Sequence, residues 1–135
     1  MRNNIILVFL GLIMCSLIFY RFFYKNEISY SVENDIVDVG TTISNKTSLA
    51  VFKITNLGKD FKITGIKADC HCTVPNWNKK TIKKGETSEI EVIYDNHNIG
   101  YFEQTLYVYF DESEKPSQLL IMRGKVVKPV NKQGL

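Results

Sequence analysis

Catalytic signatures are missing from this sequence. It has no Gly-x-Ser-x-Gly elbow, no His-Glu-x-x-His pair and no glycine-rich phosphate loop, so the familiar sequence marks of hydrolases, zinc proteases and nucleotide binders are absent. Cysteine is sparse, at Cys15, Cys70 and Cys72, and none stands in the Cys-x-x-Cys spacing usual for thiol exchange. A basic stripe is also lacking. The net charge of +3 is accounted for by Arg2, Arg21 and Lys25, which no acidic residue in the first 25 positions offsets, so the remainder is balanced. A nucleic-acid partner is therefore not expected. The one locally basic run, KKTIKK at 79–84, reads as a solvated hairpin with turn lysines. The acids are scattered: Glu89 and Glu91 read as a solvated strand face, and Asp95 with His97 as turn chemistry. No internal repeat or low-complexity tract occurs. These absences exclude no fold, but they point away from an enzyme, and no cofactor or small-molecule substrate is expected.

What is present begins at the N-terminus. Ile5 to Tyr20 carries no charge, and Phe22, Phe23 and Tyr24 extend the apolar character past Arg21. A spanning helix needs ~20 mostly apolar residues, whereas the core of a cleaved signal usually has ~7–15. No small-x-small cleavage site follows. The aromatic cluster beside Arg21 and Lys25 suits an interfacial belt with snorkelling cations. The expectation is a transmembrane or signal-anchor helix within residues 1–25, with 5–24 in contact with the membrane. The alternative is a lipoprotein lipidated at Cys15, against which stand bulky Met14 and the apolar chain that follows. Basic residues on the two flanks nearly tie, so charge does not orient the anchor.

Beyond the anchor no sustained 3.6-residue period appears. Alternation of period two recurs between turn residues. Strands are expected around Ile36 to Val39, Ser48 to Asn56, Phe61 to Ala68 with Gly65 at a bulge, Thr87 to Tyr94, Tyr101 to Phe110, and Gln118 to Val127. Asp111 to Pro116 is a polar loop. Short strands at this spacing predict an all-β protein: an antiparallel Ig-like β-sandwich of about seven strands over 35–128. Residues 26–34 read as a linker and 129–135 as a tail.

The ordered features from residue 52 to 127 resemble a bacterial family of unknown function with a single Ig-like domain and a Cys-Gly-Cys-Thr-x-Pro signature. The matching residues are Phe52, Asn56 with Gly58, Ile63, and Cys70-His71-Cys72-Thr73-Val74-Pro75. They continue with Lys84-Gly85-Glu86, Tyr94-Asp95, Gly100-Tyr101-Phe102 and Arg123-Gly124-Lys125-Val126. The resemblance implies an extracytoplasmic domain, often lipid- or membrane-anchored, which orients this one outside the inner membrane, on the periplasmic side. It also implies likeness to the wider PapD-like and major-sperm-protein-like interaction modules. His71 departs from the pattern where the family has glycine; if that glycine serves a positive φ, histidine is a costly substitute. The resemblance carries no catalytic residues.

The motif ADCHCTVPNW admits several chemistries. On a regular strand Ile66, Ala68, Cys70, Cys72 and Val74 share one face, which buries both thiols near Trp77 and turns His71 outward. A Cys70–Cys72 disulfide is awkward there, because residues i and i+2 lie ~6.6 Å apart with parallel Cβ vectors; it requires the chain to bend. Two thiolates on one face would suit copper(I) or, with further ligands such as His71, zinc. A second candidate is the strand Tyr101 to Phe110. Phe102, Leu106, Val108 and Phe110 share its core face and Tyr101, Thr105, Tyr107 and Tyr109 the other, a tyrosine stripe fit for another envelope protein. The expected function is a non-enzymatic interaction or structural module of the cell envelope, the alternative a metal-binding or redox protein using Cys70 and Cys72.

Overall fold

Strict alternation of apolar and polar residues builds the centre of the molecule. In the computed structural model, which describes residues 2–23, 28–111 and 118–130, with side chains in the helix described for 5–21, eight strands follow one helix. They are α1 (Arg2–Phe23), β1 (Tyr30–Val32), β2 (Ile36–Ile43), β3 (Thr47–Asn56), β4 (Ile63–Ala68), β5 (Thr73–Trp77), β6 (Thr87–Asp95), β7 (Gly100–Phe110) and β8 (Gln118–Val127). In β3 and β6 every second side chain is buried, and Ala50, Phe52 and Ile54 lie opposite Val92, Ile90 and Ser88. The strands form two four-stranded sheets, in the orders β1-β3-β6-β5 and β2-β8-β7-β4.

Between the sheets lies one apolar core, including Phe52, Phe61, Ile63, Ile90, Leu106, Val108, Phe110, Leu120 and Met122. Each such side chain stabilises the fold by ~1.5–3 kcal/mol relative to exposure. Phe61 and Phe110 meet at 4.5 Å between ring centroids, and Tyr30 closes edge-on upon Phe110 at 4.9 Å. Toward the other end Tyr94 of the first sheet stacks on Phe102 of the second at 4.2 Å. Gly124 of β8 has no room for a side chain: a Cβ there would come within 2.8 Å of Val39 and 2.9 Å of Phe102. Gly65 falls at the register shift between β4 and β7, as expected.

Four features differ from the sequence reading. Among the described residues there are eight strands, and one pairing, β2 with β8, is parallel. After β1 the chain crosses to the other sheet: Glu33 N–H donates to Lys53 O, while Ile121 N–H donates to Asp35 O. That crossing sets β2 beside β8 in the same direction. Tyr30–Val32, within the expected linker, pairs with β3, so the sandwich starts before residue 35. Finally, the strand ends at Ala68, as expected, and the regular extension considered through the cysteines does not form; a separate strand starts at Thr73.

The N-terminal segment forms a helix, and its described residues, from Ile5 to Arg21, are all exposed. Among the described residues no helix is long and apolar enough to cross a membrane, which corrects the expected transmembrane span. The belt formed by Phe22, Phe23, Tyr24 and Lys25, the loop beyond Asp111 and the tail from residue 131 lie outside the described side chains.

Candidate functional site

β4 is an edge strand of one sheet and β5 an edge strand of the other. The residues between them, Asp69 to Cys72, carry the chain from sheet to sheet, and backbone bonds to both sheets hold that crossing. Asp69 N–H donates to Thr105 O at 3.2 Å, Asp95 N–H donates to Cys72 O at 3.0 Å, and Thr73 N–H returns to Cys70 O at 3.3 Å. The last of these closes a turn with His71 exposed near its tip.

The bend brings the Cys70 and Cys72 Cα atoms to 5.3 Å, and the two sulfurs are joined as a disulfide. A straight strand would hold the same atoms ~6.6 Å apart, so the turn supplies the closeness that the regular geometry lacked. The shared-face reading of the thiols is thereby corrected: Cys72 packs against the core cluster, and Cys70 is half-buried beside the Thr73 hydroxyl, 3.8 Å from its Sγ. Cys72 N–H donates to Cys70 Sγ at 3.0 Å. Trp77 sits at the far end of β5, its Nε1–H donating to Ile63 O. Joined sulfurs are not thiolates, and among the described residues no group of three or more His, Cys, Asp or Glu stands together to hold a metal. His71 does not take the left-handed backbone; Asn45 is the one described non-glycine with positive φ. His97 lies 3.9 Å from Asp95, both exposed. Cys15 is an exposed free cysteine within α1.

The tyrosine stripe divides in two. Tyr101 is 84% exposed at one end of β7, with the Lys125 ammonium 5.0 Å from its ring centroid. Tyr107 and Tyr109 are half-buried farther along. The charge of nearby Asp69 raises the Tyr107 phenol above its ordinary 10.0. Across the sheet Tyr107 pairs with Leu119, and Ile121 pairs with both Thr105 and Ile36. Leu119 is 49% exposed and Ile36 45%. These side chains form an apolar patch on the outer face of the second sheet, wider than the tyrosines alone.

Sequence reasoning missed a second patch. On the outer face of the first sheet Ile93 pairs with Leu49 on one side and Val74 on the other, with Val51 beside them, and all four are exposed. Part of its signal was available, since Ile93 shares the face of Glu89 and Glu91 and Val51 that of Lys53; Val74, expected on the buried face of the cysteines, is instead exposed.

Two buried asparagines brace opposite ends of the sandwich. Asn56 Nδ2 donates to Lys59 O and Ile82 O, and its Oδ1 accepts from Gly58 N–H. Asn96 Nδ2 donates to the hydroxyls of Thr42 and Ser48.

Residues 30–126 match the model of a family described as protein of unknown function (DUF1573), and the chain belongs to that family. A search of curated proteins finds no sequence match. Among solved structures the chain is similar to a protein of unknown function from Porphyromonas gingivalis W83. That match has a TM-score of 0.60 at 11% identity and covers 73% of this chain and 46% of that one. It is also similar to the ASH/PapD-like domain 7 of human CEP192, with a TM-score of 0.63 at 11% identity over 77% of this chain and 89% of that one. The Vibrio cholerae VesB protease matches with a TM-score of 0.55 at 18% identity over 79% of this chain and 34% of that one. The chain thus spans less than half of the Porphyromonas protein and about a third of VesB. At these identities the likeness is one of fold, an Ig-like, PapD-like sandwich.

Proposed function

We propose that the chain is a non-enzymatic protein-interaction or structural module of the bacterial cell envelope, attached to the membrane through its N-terminal helix with the sandwich outside the cytoplasm. The observation that carries this reading is the apolar outer face of the second sheet, where Ile36, Leu119, Ile121 and Tyr107 lie together with no described element over them. Apolar side chains gathered on one face of a small domain mark an interaction surface more often than scattered ones do. Attachment is supported by α1, whose large apolar residues from Ile5 to Tyr20 are more than half exposed; a helix apolar all round calls for lipid or protein around it. The Cys70–Cys72 disulfide supports an oxidising compartment. A photo-crosslinking residue at position 119 should capture a defined envelope protein, and Tyr107→Ser should abolish the adduct without altering the circular dichroism. Equal capture from position 53, on the outer face of the other sheet, would sink this reading.

One observation favours a second reading, a redox role for Cys70 and Cys72: the disulfide lies on a turn with His71 exposed. Equilibration in glutathione buffers tests it. A pair that exchanges within seconds with a protein thiol supports redox chemistry, whereas a pair reduced only after unfolding is structural. Reduced protein assayed for stoichiometric copper or zinc tests the metal form of the same alternative.

A further inference from the structure

The lysines of KKTIKK gain a meaning from where the fold places them. β5 ends at Trp77 opposite Ile90, near the start of β6, so the connection 78–86 lies at one end of the sandwich. Ile82 bridges to Phe61, and Gly85 N–H donates to Asn56 O, which joins this connection to the 57–60 turn. Leu57 N–H of that turn donates to Ser29 O. Ser29 is among the first described residues after α1. The chain therefore enters the sandwich at the end that displays Lys79, Lys80, Lys83 and Lys84. From Phe23 to Ile28 the backbone can span at most about 18 Å, so this end stays close to the end of the helix.

All four lysines are exposed, and among the described residues none forms an ion pair; Lys79 Nζ lies 6.0 Å from the centroid of the Trp77 ring. Neighbouring acids are engaged by backbone. Asp60 accepts from Lys84 N–H at 3.0 Å, Glu86 from Lys83 N–H at 2.9 Å and Asp111 from Lys62 N–H at 2.7 Å. By sequence the connection after Phe110 adds Glu112, Glu114 and Lys115. Turn geometry thus holds these carboxylates close to the loops, and Glu33 and Glu89 pair with Lys53, while the four ammonium groups extend into solvent.

We propose that this end of the sandwich lies on anionic lipid headgroups, with Lys79, Lys80, Lys83 and Lys84 as the contact, so that the domain stands upright on the membrane that holds α1. The inference rests on the membrane attachment proposed above. Each lysine near an anionic surface adds attraction that decays within a Debye length, ~8 Å at physiological salt. The end opposite, with the disulfide turn, then points away from the bilayer, and the outer sheet faces stand free at the sides.

The only tryptophan, beside Lys79, is the reporter. Full-length protein is mixed with vesicles of phosphatidylcholine, or of phosphatidylcholine with phosphatidylglycerol, each carrying a dansyl headgroup lipid. Flotation measures attachment and energy transfer from Trp77 measures contact. The expected result is flotation with both vesicles and about twofold greater transfer in the anionic ones, lost in ~1 M salt, where the Debye length falls to ~3 Å. The variant K79Q/K80Q/K83Q/K84Q should float equally and lose the difference. Flotation with both but equal transfer overturns the lysine contact and leaves attachment standing, and it is the outcome expected if the lysines serve an acidic protein instead. Flotation with anionic vesicles alone, abolished in the variant, supports the contact and overturns attachment through α1. Flotation with neither overturns both.

Discussion

The two ends of the sandwich are each closed around a buried asparagine, yet the asparagines hold different kinds of partner. Asn56 bonds to Lys59 O, Ile82 O and Gly58 N–H, all groups of the backbone. Asn96 bonds to the side-chain hydroxyls of Thr42 and Ser48. A hydroxyl can rotate toward water or another acceptor when its partner is removed, whereas a buried carbonyl fixed in a loop cannot. The Asn56 side chain thus satisfies fixed backbone groups of two loops that backbone bonds, such as Gly85 N–H to Asn56 O, also join. The Asn96 end has a second brace, since Asp95 next to it donates to Cys72 O of the disulfide turn. Both ends are tied more than once; they differ in that Asn56, under a basic surface, serves fixed backbone groups and Asn96 serves hydroxyls.

Removing the Asn56 side chain should have the largest effect. Asn56→Ala is expected to destabilise the fold by about 3 kcal/mol, because buried backbone groups lose their partners. Asn96→Ala should cost about half as much by the same principle. Urea denaturation of the two variants compares them directly, and equal midpoints would remove the distinction between the ends. The disulfide comes next. It closes a very short loop, for which the chain-entropy argument allows only ~1–2 kcal/mol. Cys70→Ser with Cys72→Ser should therefore leave a folded domain, and combined with Asn96→Ala the loss should exceed the sum, since both act on the segment around Asp95. Additive losses would show that the ties are independent.

The smallest effect concerns Tyr107. The Asp69 carboxylate holds its phenol above 10.0 in the folded state. The resulting stabilisation is present below the unfolded pKa and is lost as pH rises through the raised folded value. Tyr107→Phe should remove one late-titrating phenol from the alkaline absorbance titration and flatten stability against pH above about 10. A titration unchanged from the parent protein would break the link between β7 and the disulfide turn.

Most of the strands were legible because burial on one face forces alternation. The expected Gln118 to Val127 is the observed β8, and Thr87 to Tyr94 falls one residue short of β6. β1 was not legible, since three residues hold too little pattern to stand out from a linker. Nor was the parallel β2–β8 pairing, because Ile36 to Val39 reads the same whichever way its neighbour runs. The cysteine motif misled through an assumption of regularity. Parity places Cys70 and Cys72 on one face only while the strand continues, and it stops at Ala68.

What the sequence alone determined is the periodic part of this protein: the apolar N-terminal helix, the alternating strands and the turn residues between them. These follow from near-neighbour rules of backbone geometry and side-chain burial, which a linear pattern records. What only the tertiary structure decided is where unlike segments meet. The closure of Cys70 on Cys72 depends on a crossing between two sheet edges held by Thr105 and Asp95. The gathering of the lysines beside the entry of the chain depends on bonds joining Ser29, Leu57, Asn56 and Gly85. Those contacts join residues far apart in sequence, and their geometry exists only once the two sheets have packed.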